Sequence, residues 1–155
     1  MKYLLVIPNA IGDVLCGLGI GHRLLETGTV TWIISPTTGT LHSVLKKEGF
    51  DVIVQPLEKV RRMKSFQAPS EILRAEVQRF LDSVKERGIF DLVINPHLSR
   101  AASIIAGFVD SRSRRGPCVG ATVSSDTWSD FIASSVVHGI LPEIGAVERF
   151  SLISG

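Results

Sequence analysis

At 155 residues the chain has the length of one ordinary domain, enough to bury roughly two thirds of the surface its unfolded form exposes. Its 45% hydrophobic and 21% charged residues exclude a disordered chain, and a net charge of +2 is too small to argue for nucleic acid as a partner. The two cysteines, Cys16 and Cys118, match no metal or CxxC spacing, which excludes a disulfide scaffold and a zinc module and fits a reducing cytosol.

Residues 3–7 (YLLVI) form a continuous apolar run closed by Pro8 and Asn9, the pattern of a strand buried on both faces. The run breaks too early for a signal peptide, and no stretch approaches the ~20 apolar residues needed to span a bilayer. The expectation is a cytoplasmic protein, at most peripheral to the cytoplasmic membrane face. From Asp13 the apolar residues recur at helical spacing to about residues 27–28, giving a first helix. Residues 29–34 (TVTWII) are β-branched and apolar and predict a second strand. A loop over 36–40 then leads to a helix over 41–47 ending at Gly49.

Residues 51–54 predict a third short strand, followed after Pro56 by a basic, irregular stretch to Pro69. Ser70 with Glu71 opens a long amphipathic helix running to about Arg87 and closed by Gly88. Residues 91–95 (DLVIN) read as the fourth strand, 99–109 as a small-residue helix, and 117–123 as a fifth strand. Beyond Asp126 the pattern is ambiguous to about 137, and 142–153 reads as helical. Strands alternating with helices at this spacing predict an α/β fold, a doubly wound parallel sheet of Rossmann-like type with strand order 3-2-1-4-5. Ligands of such sheets bind beyond the carboxyl ends of the strands, near the switch point between strands one and four. The loops over 9–13 and 96–100 are therefore expected to face each other.

The first strand-to-helix turn, PNAIGD, carries no Walker lysine. Gly17, Gly19 and Gly21 lie too far into the helix to make a dinucleotide fingerprint. These glycines are expected instead to let the helix backbone approach the sheet. Asp13 at the helix start has two readings on its residue type: a carboxylate held by free backbone N–H groups, or a general base at the mouth of the sheet. His97 is either a loop hydrogen-bonder or a ligand-binding residue. Lys59, Arg61, Arg62 and Lys64 form a basic cluster that is either a solvated face or a contact for an anionic ligand. Arg112, Arg114 and Arg115 either add to the same field or pair with Asp110 and nearby acids. His22, His42 and His138 form no ligand set with His97, and Trp32 and Trp128 are expected in a core or interface.

The segment YLLVIPNAIGDVL (residues 3–15) is similar to the opening strand, turn and "GD" helix start of the heptosyltransferases, the inverting glycosyltransferase family 9. DLVINPHLSR (residues 91–100) resembles that family's fourth strand and following loop. Residues 111–120 resemble its "RRIG" stretch, and 145–155 resemble a helix near the end of its first lobe. The resemblance implies one lobe of a GT-B type glycosyltransferase in lipopolysaccharide biosynthesis, transferring heptose or a related sugar from a nucleotide-activated donor to a core acceptor. In that family the aspartate of the "GD" motif is the proposed catalytic base, which maps onto Asp13. Asn9 and Pro8 stand where a small polar residue and an arginine are more usual. The resemblance further implies acceptor contacts from the basic loop carrying Lys59, Arg61, Arg62 and Lys64; Asn9 in the first turn and His97 and Arg100 just past the fourth strand complete the expected acceptor-binding set, with no metal and no resident cofactor expected. The donor, ADP-heptose or a relative, is expected mainly on a C-terminal lobe.

Two such lobes require about 300 residues or more. Residues 1–155 are thus expected to be the N-terminal, acceptor-side lobe alone, inactive in sugar transfer without its partner lobe. Its expected partners are an anionic glycolipid or core sugar, the donor-side lobe and the membrane face. A non-enzymatic anion- or nucleotide-binding α/β module, and an interaction domain joining through an apolar face, are the competing expectations.

Overall fold

A computed structural model describes residues 1–8, 10–56, 70–97, 99–116 and 118. Alternating side chains of the first strand serve two different cores. In β1 (Lys2–Val6), Tyr3 and Leu5 point to one face together with the following Ile7, while Leu4 and Val6 point to the other; all five are buried. A strand apolar on both sides has to lie in the middle of a sheet covered by helices on both faces, because each face must be removed from water. The five strands are all parallel and run in the order β3-β2-β1-β4-β5, as the sequence predicts.

The chain leaves β1 through α1 (Ile11–Leu25), returns as β2 (Thr29–Ile34), turns through a 3-10 segment (Pro36–Leu41) into α2 (His42–Lys47), and adds β3 (Asp51–Val54) at the sheet edge. It then crosses back through α3 (Glu71–Lys85) to place β4 (Leu92–Ile94) on the opposite side of β1. After α4 (Arg100–Phe108) it ends the sheet with β5 (Arg114–Arg115). Trp32, Leu45 and Phe50 fill the face under α1 and α2, and Phe80, Val84, Ala102 and Ile105 fill the face under α3 and α4.

Two helix starts follow the capping rule: the hydroxyls of Ser70 and Ser99 accept from the N–H groups of Leu73 and Ala102 at 3.2 Å each. Gly49 and Gly88 take the positive φ values of +90° and +70° that stop α2 and α3 where the sequence predicts.

Three expectations are corrected. The first helix begins at Ile11, two residues before Asp13, because Ala10 already has extended backbone and serves as the cap position. The loop expected over 36–40 is a 3-10 turn, capped by Ser35 and led by Pro36, which runs into the helix expected over 41–47. The fifth strand is Arg114–Arg115, upstream of the expected 117–123, a stretch of which only Cys118 lies among the described residues. Of the three glycines expected to admit the sheet, Gly17 and Gly21 do so. A Cβ at Gly17 would run into Ile7 Cδ1, and one at Gly21 would lie 2.8 Å from Trp32 Cζ2, whereas one at Gly19 meets nothing within 4 Å among the described residues.

Candidate active site at the sheet switch point

After β1 the chain turns outward toward β2 and β3, and after α3 it returns on the other side of β1. The reversal leaves a crevice between the carboxyl ends of β1 and β4. The parallel register Leu5↔Ile94 brings the residues after β1 beside those after β4. Asp13 and His97, 84 positions apart, meet there: His97 Nε2 lies 3.1 Å from Asp13 Oδ2.

Asp13 is the third residue of α1. Ala10 offers no side-chain acceptor for the free N–H groups of the first turn, and Asp13 Oδ2 reaches back to accept the Ala10 N–H at 3.3 Å. The carboxylate is thus held by a backbone N–H group of the first turn, the first of the two readings the sequence left open. It supports the helix start and it faces the crevice, with 22% of its side chain exposed. The amino ends of α1 and α4 both open toward this edge of the sheet.

The imidazole is held by its own loop. Asn95, fully buried at the end of β4, accepts the His97 N–H on Oδ1 at 3.0 Å, while the Ser99 N–H donates to His97 Nδ1 at 3.0 Å. A ring nitrogen that accepts cannot carry the proton of the neutral imidazole, so the proton sits on Nε2 and points at Asp13. Ser99 is itself fixed as the cap of α4. Buried Gln55, just past β3, donates through Nε2 to the Pro8 carbonyl at 3.5 Å and ties the first loop to the neighbouring strand.

Of the residues singled out in the sequence, Asp13 and His97 are brought together, but His97 addresses the carboxylate. Arg100 opens α4 at the same crevice. Asn9, Lys59, Arg61, Arg62 and Lys64 lie outside the described residues. The second basic cluster is divided. Arg112, 79% exposed, pairs with Asp91 at 3.3 Å at the amino edge of the sheet. Arg114 is buried and donates from Nε to the Ala106 carbonyl at 2.9 Å and from Nη2 to the Val109 carbonyl. It closes the carboxyl end of α4 and adds nothing to a surface field. Arg115 lies in β5 beside the end of β4, its carbonyl accepting the Asn95 N–H at 2.9 Å.

Asn95, Ser99 and Gln55 are supporting residues that the sequence reading did not single out. An Asn-Pro pair after a strand and a serine opening a helix were the available signals for the first two. Gln55 carried none.

An ion pair elsewhere is structural. Arg87, past the end of α3, grips Asp51 at the start of β3 through Nε and through Nη2, the latter at 2.9 Å from Oδ1. These hydrogen bonds hold the Asp51 carboxyl below the usual aspartate range and raise Arg87 further. A groove of about 540 Å3 runs beside this pair, between β3 and Glu76, Arg79 and Phe80 of α3. Neither Asp13 nor His97 lines it, so its size does not make it the chemical centre.

Among the described residues no group of three or more potential metal ligands occurs, and no helix is long and apolar enough to cross a membrane. No protein-family model matches the chain, and no curated protein matches it. Fold and site define an α/β protein with a Rossmann-like, all-parallel five-stranded sheet and a carboxylate-imidazole pair at its switch point.

Proposed function

We propose that the chain is the acceptor-side lobe of an inverting glycosyltransferase, with Asp13 as the general base. The observation that carries the reading is the Asp13 carboxylate at the switch-point crevice, held on Oδ2 by His97 and Ala10. Both donors address one oxygen. Oδ1 accepts no hydrogen bond among the described residues, so one carboxylate oxygen is left for a hydroxyl.

In this reading an acceptor hydroxyl donates its proton to Asp13 as its oxygen forms a bond to the anomeric carbon of the activated sugar. The bond from that carbon to the diphosphate breaks, the leaving nucleoside diphosphate takes the electron pair, and attack from the opposite face inverts the centre. The resemblance to the heptosyltransferases assigns the donor, ADP-heptose or a relative, to a second lobe, and an anionic lipopolysaccharide core to the acceptor. The cluster of Lys59, Arg61, Arg62 and Lys64 suits such an acceptor, because arginine forks match phosphate and carboxylate oxygens. The reading places the work on the cytoplasmic face of a membrane.

The test is sugar transfer by the full-length protein from ADP-heptose to core oligosaccharide, measured for wild type and Asp13→Asn. Asparagine keeps the shape and can still accept the Ala10 and His97 N–H groups, so folding is expected to be unchanged. Loss of the proton acceptor is expected to lower turnover by roughly 10²–10⁴, with acceptor binding little altered. An Asp13→Asn protein within a few-fold of wild-type turnover removes Asp13 from the mechanism and the main support for the reading.

A further inference from the structure

We infer that His97 is the positioning residue of this base, acting as a fixed N–H donor that aims the Asp13 carboxylate and taking no proton itself. The inference rests on the reading of Asp13 as a base and adds a role for the residue across the crevice.

A histidine serving as a base toward substrate needs a ring nitrogen with an available lone pair. The Ser99 N–H occupies Nδ1, and Nε2 carries its proton toward Asp13. The frame behind the ring is rigid. The His97 backbone is tied to Asn95, which is fully buried, and Ser99 is anchored as the α4 cap. Asp13 itself stands in the first turn of α1, and its other donor, the Ala10 N–H, is the longer contact at 3.3 Å. Holding Oδ2 from two sides fixes the direction in which Oδ1 faces the crevice, and such alignment matters because displacing a reacting group by about 1 Å can cost 10²-fold in rate.

Three proteins read the role in the transfer assay: wild type, His97→Leu, which removes the donor, and His97→Gln, whose side-chain amide N–H has a similar reach to Nε2. His97→Leu is expected to lower kcat by up to roughly 10²-fold with the acceptor KM within a few-fold. His97→Gln is expected to recover most of the loss at an equal melting temperature. A raised acceptor KM with kcat kept would place His97 on the acceptor and overturn the inference. So would a His97→Gln protein as stable as wild type yet as slow as His97→Leu.

A second measurement needs no turnover. Nitrogen-15 NMR of the ring is expected to show the Nε2–H tautomer, with a ring proton exchanging slowly with solvent in wild type and rapidly in Asp13→Ala. An Nδ1–H tautomer, or exchange indifferent to Asp13, overturns the pair. A ring proton protected by Asp13 in a protein that transfers no sugar leaves the pair standing and removes only the glycosyl-transfer reading.

Discussion

Replacing Gly21 with alanine would place a Cβ 2.8 Å from Trp32 Cζ2 and 2.9 Å from Phe50 Cζ. Both neighbours are rigid rings. Trp32 is fully buried and Phe50 is 3% exposed; they meet edge to face with centroids 5.3 Å apart. Trp32 is hemmed in again at Gly17, where a Cβ would lie 3.1 Å from Cη2. Neither ring has room to retreat, so the strain of one extra methyl falls in the range of about 1–3 kcal/mol for overpacked cores. Against it stands the gain of up to about 1 kcal/mol from replacing glycine inside a helix. The net expectation is a loss of about 1–2 kcal/mol, or a fall of about 2–8 °C in melting temperature for a domain of this size.

Gly19→Ala is the internal control. It lies on the same helix and meets nothing within 4 Å among the described residues, so the helix gain remains and the melting temperature is expected to rise by about 1–4 °C. Thermal melts and urea titrations with unchanged slope would measure both variants. A Gly21→Ala protein at least as stable as Gly19→Ala would refute the packing argument.

The Asp51–Arg87 pair predicts an acid signature. The folded Asp51 carboxyl lies below the usual aspartate range, so the stability it contributes is whole above the unfolded value of about 3.9 and is lost as pH falls through the lower folded value. Arg87→Gln is therefore expected to melt below wild type at pH 6, with the gap closing by about pH 2; a gap independent of pH would contradict it. With Asp51 44% exposed, the effect is modest. Arg114→Ala is expected to cost about 1–3 kcal/mol, because the Ala106 and Val109 carbonyls lose their buried donor. An Arg114→Ala melt within 1 °C of wild type would show that these carbonyls are otherwise satisfied.

What the sequence determined was whatever depends on near neighbours along the chain. The unbroken apolar run at 3–7 and the β-branched, largely apolar run at 29–34 are strands buried on both faces. Ser70, Ser99, Gly49 and Gly88 punctuate helices through bonds made within a few residues, and the alternation of the elements leaves few ways to order a parallel sheet. Asp13 stood out because a carboxylate in the first turn of a helix is visible locally. His97 was singled out as well, and its loop was expected to face that of Asp13, but the hydrogen bond between the two was not legible, because it spans 84 positions and exists only through the pairing of β1 with β4.

Nor could the sequence divide the arginines, which are alike as letters. Arg114 is drawn inside because the chain turns back under the end of α4, where unpaired carbonyls receive its guanidinium. Arg112, two residues earlier, points into solvent beside Asp91. In both cases the deciding term is desolvation balanced by a specific hydrogen-bond partner, and that balance is set only once distant segments are brought together.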